Sequence, residues 1–131
     1  MGPRMNLLVD THVVLWWFSA PPRLSPTATD VLAETGNIVY VSAAVAWELA
    51  IKTKSGKLDA QALLSDFAGV LFQRGFRRLA MSTGHAIRAG QLPLHHRDPF
   101  DRMLVAQAQA LNFPVVSADA IFDRYGVQRI W

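Results

Sequence analysis

Asp10, Glu48, Asp101 and Asp119 are the side chains whose type and placement point to chemistry. Asp10 closes a short apolar run, Asn6-Leu7-Leu8-Val9, that reads as a buried strand. Glu48 falls in the helix expected after a second strand, Asp101 opens the helix before a fourth, and Asp119 follows that fourth strand. In a parallel sheet all four reach the carboxyl edge, where open α/β sheets bind ligands. Bare carboxylates gathered there repel one another, and some would have to stay protonated. A divalent cation removes the conflict. With no cysteine and no His-x-x-x-His spacing, an all-oxygen set favours Mg²⁺ or Mn²⁺ over zinc. Such a centre activates a water and neutralises charge on a phosphate under attack.

Each residue also has a plainer role open to it. Asp10 can cap the helix that follows. Glu48 can pair with Lys52 four residues on, although its helix neighbours Ala44, Val45 and Ile51 make an apolar face where a solvated Glu is unexpected. Asp98-Pro99-Phe100-Asp101 is a well-formed helix start, with Asp at the cap, Pro at the first position and a second Asp facing the dipole. Asp119 can likewise open a helix, with Asp123 one turn on. His12 and the His95-His96 pair read as surface or supporting groups. Lys52, Arg97 and Arg102 adjoin the acids in sequence and are candidates to touch a nucleic-acid backbone, or are simply solvated.

The elements that would position these groups alternate between strand and helix. Val13 to Phe18 is expected to be a buried helix stopped by Pro21-Pro22, and Ser25-Pro26 opens another to about Glu34. Ile38 to Val41 reads as a strand, and Ser42 caps a helix from Ala43 to about Ser55 that Gly56 ends. Ala60 to Arg74 has the apolar spacing of one helix. Arg78 to Met81 is a third strand, Thr83 to Ala89 a short helix and Gln91 to Arg97 a polar loop. The helix from Asp98-Pro99 runs to about Leu111 and breaks at Asn112 and Pro114. Val115 to Ser117 is a strand, Ala118 to Tyr125 a helix and Val127 to Ile130 the last strand. Alternation of this kind implies right-handed crossovers and a parallel sheet between helix layers.

Composition sets the frame. The sequence has 131 residues, enough for one domain with a core but hardly two. It is 51% apolar and 18% charged, which excludes a disordered chain. The formal charge of +3 is compatible with a polyanionic partner without requiring one. The absence of cysteine excludes disulfides and a thiol nucleophile, and fits a cytoplasmic protein. No apolar run reaches the roughly 20 residues that span a bilayer, so no membrane association is expected. Met5 is a plausible natural start, with residues 1–4 an extension or cloning scar. The four tryptophans, Trp16, Trp17, Trp47 and Trp131, suit the core or a partner surface better than a base-stacking platform.

Leu7-Leu8-Val9-Asp10-Thr11-His12, Ser42-Ala43-Ala44 through Trp47-Glu48, and His95 through Ala108 (His-His-Arg-Asp-Pro-Phe-Asp-Arg-Met-Leu-Val-Ala-Gln-Ala) closely resemble PIN-domain proteins. With Val116-Ser117-Ala118-Asp119 and Tyr125-Gly126-Val127 they resemble the VapC toxins of bacterial toxin–antitoxin pairs, from about Met5 to Trp131. The resemblance implies a three-layer α/β/α PIN fold with a central, mostly parallel sheet over residues 5–131. It implies a homodimer, Mg²⁺- or Mn²⁺-dependent RNA cleavage, and a cognate antitoxin that wraps the toxin and blocks its acidic pocket, often with an Arg. Asp10, Glu48, Asp101 and Asp119 match the family's four acids. Thr11 and Ser117 match small hydroxyl positions near the pocket, and Asp98 is a companion acid. The resemblance therefore points to an endoribonuclease that leaves a 5′-phosphate. A haloacid-dehalogenase-type phosphatase is disfavoured because His12 stands where a second Asp is wanted, and no phosphate-binding glycine loop is present. A PIN-like module that binds RNA or protein without cutting is the alternative.

Overall fold

The computed structural model describes residues 4–131, so the first three residues of the expected extension lie outside the described residues. Five strands form one sheet in the order β3-β2-β1-β4-β5, where β1 is Asn6–Val9, β2 Ile38–Ser42, β3 Arg77–Leu79, β4 Val115–Val116 and β5 Arg129–Ile130. Every pairing is parallel, so the sheet expected to be mostly parallel is wholly so. The central register sets Leu8 between Tyr40 and Val115. Leu7, Leu8 and Val9 are consecutive, point alternately to opposite faces and are all buried. That requires cover on both faces, as in a three-layer α/β/α fold.

The chain winds outward from β1 through β2 to β3, then crosses back to place β4 on the other side of β1. The winding direction thus reverses between β1 and β4, and the loops leaving these strands diverge. A crevice opens there at the carboxyl edge. Asp10 follows β1 and Ser117 follows β4, so the topology itself sets both at the crevice.

The helices are α1 Thr11–Ser19, α2 Pro26–Ala33, α3 Ala43–Lys54, α4 Gln61–Ser65, α5 Phe67–Gln73, α6 Thr83–Gln91 and α7 Pro99–Leu111. Ser25 and Ser42 cap α2 and α3 through their hydroxyls, as their sequence positions suggest. Gly56, at φ 79°, follows α3, and Asn112 ends α7 in the left-handed conformation at φ 57°. Several boundaries differ from expectation. The single helix expected over Ala60 to Arg74 is two, because Asp66 leaves the helical conformation and its carboxylate accepts from the Gly69 N–H at 3.3 Å. A short acceptor that competes for the backbone caps a new helix better than it continues an old one. α1 begins two residues early, at Thr11, with Asp10 as its cap. α6 runs on through Gly90, and the expected helix over Ala118 to Tyr125 is a 3-10 turn, Ala120–Tyr125. The outer strands β3 and β5 are shorter than read.

Aromatic side chains close the ends of the core. Trp16 and Trp17 are half-buried, the first 6.0 Å from Trp131 and the second 5.7 Å from Phe76, ring centre to ring centre. Trp47 is the exposed one at 54%, standing edge-on to Phe100. Among the described residues no helix is long and apolar enough to cross a membrane. Helix α7, which carries Asp101, is held down by Leu104, Val105 and Ala108 in the core. Leu104→Ala should lower stability by about 2–5 kcal/mol, read as a fall in the urea midpoint with an unchanged slope.

Candidate active site at the carboxyl edge of the sheet

Asp10, a candidate site residue, also caps a helix. Its Oδ1 accepts from the Val13 N–H at 2.9 Å, closing the first turn of α1, and its Oδ2 accepts from the Ser117 hydroxyl. The carboxylate is 6% exposed. Ser117, fully buried, also accepts from the Asp119 N–H at 3.0 Å, so one hydroxyl ties the ends of β1 and β4 together. Glu48 is 4% exposed on α3. Its Oε1 accepts from the Thr11 hydroxyl and its Oε2 pairs with the Lys52 ammonium. Glu48 is therefore buried, not a surface charge, and yet paired with Lys52.

Asp98 caps α7, its Oδ1 accepting from the N–H groups of Phe100 at 2.9 Å and Asp101 at 3.0 Å. Asp101 sits one turn in, with Oδ2 2.8 Å from His96 Nε2. Asp119 is exposed, and its Oδ1 accepts from the Ile121 N–H at 3.0 Å. Asp123, whose role the sequence leaves open, is taken up in a two-point pair with Arg129 at 3.0 and 3.2 Å.

One of the basic candidates parts company with its expected role. Arg102, expected beside a nucleic-acid backbone, is turned inward. Its terminal nitrogens donate to the carbonyls of Ala89, Leu92, Pro93 and His96, all at 3.0–3.1 Å. Carbonyls at the end of α6 and in the loop beyond it lack helical partners, and a planar multi-donor group satisfies several at once. Arg97 is exposed and forms no ion pair among the described residues. His12 lies against Trp16, with ring centres 5.5 Å apart. His96, read from sequence as a surface or supporting group, meets a candidate acid directly. The signal for it was its position, two residues before Asp98 and five before Asp101, which the absence of His-x-x-x-His spacing obscured.

The electrostatics show how crowded the acids are. Burial pushes the Asp10 carboxyl above its ordinary value, against the hydrogen bonds from Ser117 and Val13, and the Asp119 charge adds to the rise. Burial also pushes Asp101 up, to about 6, opposed by His96 and reinforced by the charges of Asp98, Asp10 and Glu48. The Glu48 carboxylate holds the Lys52 ammonium up, with desolvation opposing and Asp98 and Asp101 adding to it. Five carboxylates thus act on one another around one edge, where Lys52 pairs with Glu48 and the His96 ring meets Asp101. One ligand atom from each of His96, Asp98 and Asp101 lie within 4.8 Å of one another. Oxygen donors in this excess fit a hard divalent ion.

Asp101 is raised by folding, so the folded chain binds more protons than the unfolded one between pH ~4 and pH ~6. Its contribution to stability is greatest below its unfolded value and is lost as pH rises through about 6. Asp101→Asn should therefore stabilise the metal-free protein at pH 7 by something of order 1–3 kcal/mol, and the gain should shrink toward zero at pH 4. Urea unfolding in EDTA at the two pH values checks this; an equal difference at both would disprove it.

The PIN domain family profile matches residues 7–128. No curated protein sequence matches the chain. Among solved structures, VapBC2 from Rickettsia felis bound to a DNA fragment from its promoter aligns over 95% of this chain and 97% of its own, with TM-score 0.71 and 17% identity. DNA-bound VapBC from Salmonella typhimurium aligns over 95% and 96%, with TM-score 0.70 and 18% identity. A toxin–antitoxin complex from Klebsiella pneumoniae aligns over 87% of each chain, with TM-score 0.55 and 17% identity. Identities this low speak to the fold, but the profile spans nearly the whole sequence, from β1 to the residue before β5, and takes in every acid of the crevice: the chain belongs to the PIN-domain family.

Proposed function

We propose that this chain is a divalent-metal-dependent endoribonuclease, the toxin of a VapC-type pair. The observation that carries the reading is the crowding of carboxylates: Asp101 and Asp98 offer ligand atoms close together, Asp101 feels the charges of Asp10 and Glu48, and Asp10 feels that of Asp119. Asp10, Glu48 and Asp101 would hold the ion, and Asp119, the exposed member, would help a second ion or orient the attacking water. Bound there, Mg²⁺ or Mn²⁺ would supply Lewis-acid stabilisation of charge on the attacked phosphate and an activated water.

The chain's own groups prepare that site. Ser117 and the Val13 N–H fix the Asp10 carboxylate, and Thr11 fixes Glu48, so neither must reorganise when a cation arrives. Asp98 holds the first turn of α7 and with it the direction of Asp101. Lys52 keeps its charge beside the cluster, where an RNA phosphate would take the place of part of its pairing with Glu48. Arg97, exposed and adjacent in sequence to the acids, would reach the flanking backbone.

A protein partner is supported by the Klebsiella complex, which pairs a similar chain with an antitoxin, and by large apolar side chains left at the surface. Phe72 is 83% exposed, and Trp47 and Ile51 stand one turn apart on α3 at 54% and 46%. Such side chains fit a chain that pairs with a second copy and is covered by an antitoxin.

The test is cleavage of RNA by antitoxin-free protein in Mg²⁺ or Mn²⁺ and in EDTA, beside Asp101→Asn and Asp10→Asn. Cleavage should require the ion and fall at least about a hundredfold in either variant, the rate equivalent of roughly 3 kcal/mol. Cleavage that persists in EDTA, or equally in both variants, would reject the assignment.

A further inference from the structure

We propose that His96 supplies a nitrogen ligand to the divalent ion held at Asp101, and that this imidazole biases the site toward Mn²⁺ over Mg²⁺. The inference rests on the metal-site reading above and adds to it a residue outside the four acids.

Geometry is the first argument. His96 Nε2 and Asp101 Oδ2 are 2.8 Å apart. Two neighbouring ligands each ~2.1 Å from an octahedral ion stand about 3 Å apart. The spacing that serves as a hydrogen bond in the ion-free chain is therefore also a coordination edge. Asp98 offers a further ligand atom within 4.8 Å of both. Its Oδ1 already accepts two backbone N–H groups, which leaves Oδ2 free to face an ion. Asp101 is the only hydrogen-bond partner of the His96 ring among the described residues, so the ring has no competing structural duty.

The second argument is that the position of His96 is built. It lies in the segment between α6 and α7, a loop that could otherwise drift. Arg102 donates to the carbonyls of Leu92, Pro93 and His96 itself. The Tyr125 hydroxyl donates to the Pro93 carbonyl at 2.8 Å, and the His95 ring stands edge-on to Tyr125. Arg102 directly follows Asp101 on α7, so the same turn that presents the carboxylate anchors the backbone that presents the imidazole. The ring is only 28% exposed.

The third argument is ligand chemistry. Imidazole suits first-row transition ions, whereas Mg²⁺ keeps oxygen ligands and water. A neutral ring would bind the ion through an unprotonated Nε2 with its single proton on Nδ1, and a doubly protonated ring would release its Nε2 proton to solvent on binding.

Binding of Mn²⁺ followed by electron paramagnetic resonance, with Mg²⁺ measured by competition, tests this without reference to RNA. Wild type, His96→Gln and His96→Ala are compared, because Gln retains an N–H that can donate to Asp101 but removes the imidazole nitrogen. Nitrogen modulation of the bound Mn²⁺ spin echo is expected in wild type and in neither variant. Mn²⁺ affinity should fall about tenfold or more in both, and Mg²⁺ affinity should change by less than about threefold. Bound Mn²⁺ without nitrogen modulation, or wild-type Mn²⁺ affinity in His96→Gln, would overturn the proposal and leave His96 as a group that orients Asp101. Failure of wild type to bind either ion would overturn the metal-nuclease reading and this proposal with it.

Discussion

Carboxylates do not gather in a low-dielectric crevice without cause, and the rest of this structure is arranged around the repulsion among them. Asp10 and Glu48 are almost wholly buried, and Asp101 is largely so. Each loses hydration, and Asp101 in particular feels the charge of three others. The fold offsets part of that cost locally. Hydroxyls and backbone N–H groups point at the oxygens, Lys52 pairs with Glu48, and His96 meets Asp101. What remains is a deficit of positive charge at one point of the sheet, and a small divalent ion is the compact way to supply it.

The same side chains also build the framework. Asp10 caps α1, Asp98 caps α7 and Asp119 caps the 3-10 turn after β4. A cap lies at the mouth of a helix, and in a parallel sheet the helix mouths open at the carboxyl edge of the strands. A residue that starts a helix is thereby delivered to the crevice, so a capping role does not compete with the ligand role proposed for the same position. Ser117 is the clearest instance. It holds the Asp10 side chain and the Asp119 backbone at once, and a change there would disturb two elements and two acids together.

Much of this was legible in the sequence because it is written in local rules. The apolar run before Asp10, the Ser caps before α2 and α3, the Asp-Pro start of α7 and the left-handed stop at Asn112 are short-range signals, and each element appears where those signals fall. The departures come from interactions that spacing cannot show. Asp66 divides a helix whose apolar periodicity runs unbroken across it, because its carboxylate prefers a backbone N–H three residues on. Arg102 sits beside acids in sequence yet turns away from them, since the loose carbonyls it satisfies come from the end of α6 and the loop after it, six to thirteen residues earlier. The sequence leaves His96 between a surface and a supporting role because it carries no spacing motif; its partner Asp101 is fixed by how the loop folds back on α7. Glu48 could be read two ways from its helix, and only the packed structure shows that burial and pairing with Lys52 coexist.

The edge of the sheet at β3 has a consequence of its own. A strand with one side unpaired invites another chain to extend the ladder. Here that strand reads Arg77-Arg78-Leu79, with both arginines exposed, and Arg74 stands exposed just before it. Two copies brought together β3 to β3 would press these guanidinium groups against one another, which disfavours extension of the sheet from that edge.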